Sequence, residues 1–221
     1  MKAGDIVKLE VGLQKILDPF RLIEELVVGK QVLNVGAAGG VHGYLPANKD
    51  IWLHERLRRS ANKLIGVDID EVGISYAKEY GYDILMENCE TMDLGKKFDV
   101  IVMSDVIEHV NAPVVAIRNL LSHLDDGGRL IITTPNALSG NICLRSLIRK
   151  DVNVFWDHVT TYYPEHFQAI CDRLRCKLEA VYMFDHVDRR SIETLMKSMV
   201  FRLMTTISLR LASSMLVVIR K

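Results

Sequence analysis

Residues 32–40 read VLNVGAAGG, and residues 64–70 read LIGVDID. The first stretch is a short apolar strand that leads into a glycine-rich turn, and the second is an apolar strand that ends on a carboxylate. Glycines let backbone approach a ligand closely, and an acid at the end of the next strand accepts hydrogen bonds from ribose hydroxyls. Together the two stretches predict a βαβ unit that binds a nucleoside-containing cofactor.

The glycine spacing disfavours a dinucleotide cofactor. A G-x-G-x-x-G pattern that starts at Gly36 would place Ala38 and Val41 where the second and third glycines belong. The chain has instead two glycines four residues apart, Gly36 and Gly40, and Asn34 lies two residues before the first. The sequence also lacks a Tyr-x-x-x-Lys pair. An NAD-dependent Rossmann oxidoreductase is therefore the alternative and not the preferred interpretation.

Two further sequence stretches follow the two quoted above, which gives four motifs in a fixed order along the chain. Residues 98–110 read FDVIVMSDVIEHV, and residues 121–136 read LSHLDDGGRLIITTPN. The set resembles the motifs of class I S-adenosylmethionine-dependent methyltransferases, and in particular the small-molecule methyltransferases of the ubiquinone-biosynthesis type. The resemblance covers about residues 30–184. The chain departs from the family pattern at Asn34, where an Asp is usual, and at Ala38, where a glycine is usual.

This resemblance implies an α/β fold with a doubly wound, seven-stranded, mostly parallel sheet and helices on both faces, the Rossmann-like methyltransferase fold. A chain of 221 residues is long enough for one such domain. We expect an N-terminal cap helix within 1–30, a cofactor-binding core at 31–136 and a substrate-side half at 137–221. The cap-helix prediction rests on an amphipathic pattern over 9–28.

The resemblance implies S-adenosyl-L-methionine as the cofactor. Open α/β sheets bind ligands at the carboxyl ends of their strands, and that criterion selects the residues that follow each predicted strand. The expected cofactor-binding residues are Asn34, Gly36, Ala37, Gly40, Asp68, Ile69, Asn88, Cys89, Glu90, Ser104, Asp105 and Val106. Cys89 is interpreted as a small residue lining the pocket and not as a nucleophile.

Three residues are candidates for catalysis. His109 titrates near neutral pH and would accept a proton from a hydroxyl acceptor, with Glu108 beside it. His158 lies in the loop after the strand predicted at the end of the 121–136 stretch, where substrates approach. The competing interpretations are a histidine that caps a helix or touches only the cofactor, and a surface histidine at 158. In some family members the acid at this position binds a divalent metal, but no dedicated metal site is predicted here.

Composition limits the remaining functions. Lys and Arg total 28 and so do Asp and Glu, which disfavours a nucleic-acid-binding protein. Four cysteines without a C-x-x-C pair indicate a reducing compartment and no zinc or redox site. No secretory signal and no run of about 18 apolar residues is visible, so we expect a cytoplasmic protein.

One segment has no counterpart in the family pattern. Apolar residues recur at helical spacing over 191–211, with Lys197, Arg202 and Arg210 among them. We expect an inserted helix that forms a lid over the substrate or a homodimer contact. Packing on the sheet and peripheral membrane contact are the alternatives.

The sequence thus predicts methyl transfer from S-adenosylmethionine to a small-molecule or lipid- or sugar-linked acceptor, at oxygen. The motif that follows the fourth predicted strand in enzymes methylating nucleic-acid amines is missing, since SDVI stands at 104–107. The alternatives are the NAD-dependent oxidoreductase and a non-catalytic, methyltransferase-like interaction subunit.

Overall fold

A computed structural model describes residues 4–148, 154–185 and 202–221 of the chain. Their centre is a single eight-stranded sheet. The strands are β1 (Leu13–Lys15), β2 (Gln31–Val35), β3 (Lys63–Asp68), β4 (Ile84–Met86), β5 (Phe98–Ser104), β6 (Leu124–Pro135), β7 (Lys177–Phe184) and β8 (Ser214–Arg220).

The strand order across the sheet is β1-β7-β8-β6-β5-β2-β3-β4. Strands β2 to β6 run parallel, while β8 lies antiparallel between β6 and β7. Chain order reverses direction at β2, because β3 and β4 lie on one side of it and β5 on the other. Open sheets bind ligands at such a switch point, outside the carboxyl ends of the strands.

Helices cover both faces of the sheet. They are α1 (Pro19–Val27), α2 (Val41–Tyr44), α3 (Leu53–Ser60), α4 (Glu71–Glu79), α5 (Pro113–Ser122), α6 (Gly140–Ile148) and α7 (Pro164–Leu174). Successive strand residues point to opposite faces. Leu33 therefore packs in the core that includes Ile117 of α5, while Val32 packs in the core that includes Ile23 of α1 and Leu57 of α3.

The predicted fold class is confirmed, with eight strands in place of seven. The additional strand, β1, lies within the stretch that was predicted as one helix over 9–28. That prediction is wrong for the first half of the stretch, because residues 13–15 pair in parallel with β7. The helix begins only at Pro19, where the Asp18 carboxylate accepts a hydrogen bond from Arg21 N at 3.0 Å and caps the first turn.

Most of the predicted insertion 191–211 lies outside the described residues. Its described part is helical at residues 202–207 and ends in a 3-10 turn at Leu209–Leu211. The lid, the dimer contact and the membrane contact therefore stay predictions. Among the residues that the structure describes, no helix combines the length and the apolar character needed to cross a membrane.

Candidate active site

A cleft of about 600 Å³ opens at the carboxyl ends of β2, β3 and β5. It is lined by the glycine turn after β2, by residues that follow β3 and β5, and by a part of the crossover between β2 and β3. The predicted cofactor-binding residues in its wall are Asn34, Gly36, Ala37, Gly40, Asp68, Ile69, Ser104, Asp105 and Val106. Nine of the twelve residues expected at the cofactor thus share one cleft.

The glycine turn is shaped by two positive φ angles. Gly36 has φ +76° and Gly40 has φ +67°, a region that residues with a Cβ rarely adopt. A Cβ at Gly36 would also collide with Cγ2 of Val106 across the cleft. Ala38 does not have a positive φ, so the turn tolerates alanine where the family has glycine. The turn is therefore a cradle that brings bare backbone to the cleft wall.

Asp68 connects this turn to the end of β3. One carboxylate oxygen accepts a hydrogen bond from Ala38 N at 2.7 Å. The other accepts from Ile69 N at 2.7 Å and from Asp70 N at 3.0 Å. A carboxylate has about four lone-pair sites, so room remains for an additional donor on the cleft side. Asp68 thus holds the cradle in shape besides facing the cleft.

A smaller cavity of about 100 Å³ adjoins the cleft and contains the other three predicted residues, Asn88, Cys89 and Glu90. It shares Gly36, Asp68, Ile69, Val106 and His109 with the cleft. Burial raises the pKa of the Cys89 thiol to about 11, so this side chain stays protonated and is no nucleophile. Glu90 also holds the segment that leads into α5, because its Oε1 accepts hydrogen bonds from Asn111 N and Ala112 N.

The segment that leaves β5 is strained. Asp105 lies in the left-handed region with φ +51°, which is uncommon for a residue that has a side chain. Its backbone N–H donates to Thr133 O at 3.0 Å, and the Thr133 hydroxyl lies 2.7 Å from that of Ser104. Strain of this kind concentrates at functional sites, where neighbouring contacts hold it in place. Here it directs the chain from β5 across the floor of the cleft.

Glu108 lies behind this floor, in the 3-10 turn Ile107–His109, and is only 2% exposed. The Thr134 hydroxyl donates a hydrogen bond to its Oε2 at 3.0 Å. Burial raises the pKa of Glu108 to about 7, and the nearby Asp105 carboxylate also raises it. The Glu108 carbonyl oxygen accepts hydrogen bonds from Val159 N at 2.9 Å and Thr160 N at 3.2 Å, which ties the loop after α6 to this turn.

His109 reaches the cleft wall at the end of the same turn. Its Nδ1 lies 3.1 Å from the carbonyl oxygen of Asp157 and 3.3 Å from the Asp157 carboxylate. The ring of His158 stands edge-on to that of His109, with 4.7 Å between the centroids. Burial and the neighbouring His109 lower the pKa of His158.

Glu108, His109 and His158 offer ligand atoms that all lie within 4.8 Å of one another. One carboxylate and two imidazoles form a ligand set that Zn²⁺ and other first-row divalent cations accept. The three predicted catalytic residues therefore form one cluster, although only His109 lines the cleft itself. The geometry allows either proton transfer or cation binding at this place.

Comparison with known proteins identifies the family. A family model described as a methyltransferase domain matches residues 13–201. The chain belongs to this methyltransferase family. Two relatives are both named ubiquinone biosynthesis O-methyltransferase. The one from Coxiella burnetii is 29% identical over 132 residues, which is 55% of this chain and 52% of that protein. The one from Rickettsia canadensis is 28% identical over 138 residues, which is 60% of this chain and 52% of that protein. The chain spans about half the length of the curated relatives it matches.

Solved structures of methyltransferases share the fold. An S-adenosylmethionine-dependent methyltransferase from Archaeoglobus fulgidus has a TM-score of 0.60 at 17% identity, covering 91% of this chain and 90% of its own. Magnesium protoporphyrin IX methyltransferase from Synechocystis, solved with bound S-adenosylhomocysteine, has a TM-score of 0.60 at 14% identity, covering 90% and 78%. The family and the fold predicted from the sequence are thereby confirmed.

The cleft of this methyltransferase also contains residues that the motifs did not select. They come from the N-terminal helix, from the crossover between β2 and β3, from the connection after β3 and from the loop after α6, namely Phe20, Gly39, Tyr44, Ile51, Trp52, Leu53, His54, Asp70 and Asp157. The unusual length of the crossover was visible in the sequence, as were Trp52 and His54 within it. The sequence did not show that Trp52 and His54 line the cleft, because their position depends on how α3 packs against the sheet.

Proposed function

We propose that this methyltransferase transfers a methyl group from S-adenosylmethionine to a hydroxyl oxygen of a small-molecule or lipid- or sugar-linked acceptor. The observation that carries the proposal is His109, a titratable base in the wall of a cleft whose other wall is a glycine cradle. The O-methyltransferase names of the matched relatives support oxygen as the accepting atom.

The residues of the cleft fit this cofactor. The backbone of Gly36 and Ala37 would hold its methionine part, and Asp68 would accept a hydrogen bond from a ribose hydroxyl at its remaining lone-pair site. The adjoining cavity at Asn88 and Cys89 would receive the edge of the adenine. The cofactor supplies a methyl group already activated by a positively charged sulfur. The protein therefore has to align the acceptor and exclude water, which is worth roughly 7–11 kcal/mol in well-oriented reactions.

A hydroxyl acceptor has to lose its proton when its oxygen forms the new bond to carbon. Since Nδ1 of His109 is held by Asp157, Nε2 is the ring nitrogen that remains to take this proton. Asp157 would stabilise the imidazolium that results, as a carboxylate does beside any charged imidazole. A divalent cation on Glu108, His109 and His158 would instead orient the acceptor oxygen and favour its ionised form.

The surface beside His158 is apolar. Phe155 is 72% exposed, Trp156 is 95% exposed and Val159 is 61% exposed, and they flank Asp157 and His158 in one loop. Contiguous exposed apolar side chains mark binding surfaces more often than chance. We therefore infer that the acceptor carries an apolar part, which this loop would contact while the hydroxyl faces His109.

Ligand binding and acceptor choice test the proposal in two steps. S-adenosylhomocysteine at 100 times its Kd should stabilise the protein by about 2.7 kcal/mol, or roughly 5–10 °C in melting temperature, while NAD⁺ should not. Labelled methyl groups should then reach a phenol with an alkyl chain faster than the matched aniline or benzoate. Parallel reactions with EDTA and with Mn²⁺ distinguish proton removal by His109 from assistance by a divalent cation, because EDTA lowers the rate only if a cation takes part. Stabilisation by NAD⁺ alone, or preference for the aniline, would refute the proposal.

A further inference from the structure

The residue that departs most clearly from the family pattern has a partner in the unusual crossover. Asn34, at the carboxyl end of β2, is 2% exposed and replaces the usual acid. Its Nδ2 lies 3.1 Å from Nδ1 of His54, near the start of α3. Both side chains line the cleft. The substitution at 34 and the histidine at 54 thus meet at the place where the methionine part of the cofactor is proposed to lie.

The chemistry of this contact fixes the state of both groups. An amide nitrogen is only a donor, so Nδ1 of His54 is the acceptor and the ring is neutral with its proton on Nε2. Burial lowers the pKa of His54 to about 4, which keeps the ring neutral near pH 7. Within the described parts of the chain, Oδ1 of Asn34 has no hydrogen-bond partner. It is an unused acceptor on a nearly buried side chain in the cleft wall.

The His54 ring is held in place by its surroundings. Its centroid lies 5.1 Å from that of Trp52 and 6.1 Å from that of Tyr82. Across the sheet, a Cβ on Gly66 would stand 2.6 Å from Cε1 of His54, so the ring fills the space left by the absent side chain. Gly66 pairs directly with Asn34 in the β2–β3 register. The His54 imidazole therefore lies over Gly66, directly beside the Asn34 side chain on the neighbouring strand.

We propose that His54 is a positioning residue that acts through Asn34. By accepting the amide N–H, it directs Oδ1 of Asn34 toward the positively charged amino group of the cofactor. A carboxylate at position 34 would need no orienting hydrogen bond, because both of its oxygens accept. The Asn34 amide needs one, since the opposite orientation would turn its NH₂ group toward the positive charge. This inference rests on the proposed placement of the cofactor's methionine part beside Gly36 and Asn34.

A double-mutant cycle tests the inference by calorimetric binding of S-adenosylhomocysteine. The four proteins are wild type, His54→Phe, Asn34→Asp and the double variant. With Asn34 present, His54→Phe should weaken binding about tenfold, as expected for loss of one charge-assisted hydrogen bond. With Asp at position 34 the same change should cost less than twofold. His54→Gln should restore part of the affinity, because its amide oxygen can accept the Asn34 N–H.

Equal losses in both backgrounds would show that His54 only packs, and no loss in either would show that it has no role at the cofactor; both overturn the inference. Nitrogen NMR of the His54 ring adds a readout that does not need ligand or an intact phenylalanine variant. The proton should sit on Nε2, and a proton on Nδ1 overturns the inference. Wild-type protein that binds no S-adenosylhomocysteine would refute the proposed function, and the NMR result would still judge the orientation of Asn34.

Discussion

Two dipeptides of the same composition lie in different parts of the active-site region, His54-Glu55 in α3 and Glu108-His109 after β5. Both carboxyl side chains are almost inaccessible to solvent, with 1% exposure for Glu55 and 2% for Glu108, but Glu108 lies deeper among protein atoms. Yet a hydrogen bond from Arg58 lowers the pKa of Glu55 to about 2, whereas burial raises that of Glu108 to about 7. Similarly low solvent exposure thus goes with opposite protonation behaviour.

Hydrogen-bond partners and depth of burial together explain the difference in pKa. Glu55 accepts hydrogen bonds from Arg58 at 2.6 Å, Arg59 at 2.8 Å and Tyr82 at 3.1 Å, so its charge is fully compensated. Among the described residues, Thr134 alone donates a side-chain hydrogen bond to Glu108, which also lies near the carboxylate of Asp105. A compensated carboxylate stabilises structure, while an uncompensated one near neutral pKa is typical of a site that exchanges protons or binds cations. We therefore expect the first dipeptide to support the cleft and the second to take part in its chemistry.

The largest expected effect is on turnover. His109→Gln should lower the methylation rate of a hydroxyl acceptor by 10²–10⁴-fold, because a general base would be lost. Binding of S-adenosylhomocysteine, measured by calorimetry, should change little. The rate should be compared over pH 5–9 in both proteins.

A matched control is His166→Gln. His166 is exposed at the start of α7, where its ring accepts a hydrogen bond from Tyr163 N, and glutamine at this position also completes a capping box. This variant should keep the wild-type rate. If His109→Gln also keeps the wild-type rate and pH profile, the assignment of Glu108-His109 to the reacting side is wrong.

The next effect is on stability against pH. The His54 ring stays neutral in the folded protein down to a pKa of about 4, whereas the unfolded chain protonates it near 6.5. Between these values the unfolded state binds more protons, so this residue makes stability fall as pH decreases. The contribution is roughly 2–3 kcal/mol from pH 6.5 to 4.5.

Urea unfolding of wild type and His54→Phe at several pH values measures this term, since the remaining titrations cancel in the difference. The wild-type unfolding free energy should drop more steeply toward acid pH than that of the variant. If the two proteins lose unfolding free energy equally as the pH falls, the His54 ring is solvated in the folded state. The contrast between α3 and the turn after β5 would then be wrong.

The smallest effect concerns the cofactor. Asp68→Ala should weaken S-adenosylhomocysteine binding at least about tenfold, because the proposed charge-assisted ribose hydrogen bond is lost. It should also lower the melting temperature, since Asp68 holds three backbone N–H groups. Asp18→Ala serves as the control, because Asp18 also accepts a backbone N–H group but is not among the residues that line the cleft. Equal Kd values for Asp68→Ala and Asp18→Ala would exclude a ribose contact at Asp68.

Much of the sheet and of the cleft lining could be predicted from the sequence, because the motifs that indicate them are local. Apolar runs bounded by glycines or acids gave β2 and β3 within one residue of their observed limits. The cradle glycines and Asp68 were found for the same reason, since their roles depend on backbone conformation at a strand end.

The rest depends on long-range packing. The three residues of β1 are too few for a periodic signal, and they become a strand only because β7 offers an edge. The pairing of Asn34 with His54 spans 20 residues and requires α3 to lie across the sheet. The raised pKa of Glu108 follows from burial, which a sequence pattern does not measure.

The carbonyl oxygen of Glu108, which accepts N–H groups from Val159 and Thr160, has a mechanical consequence. The loop that presents Trp156 and His158 to solvent is anchored to the turn that carries His109. An acceptor that displaces this loop on entry would also pull on the backbone of His109. We therefore expect docking of an acceptor and alignment of the His109 imidazole to be coupled.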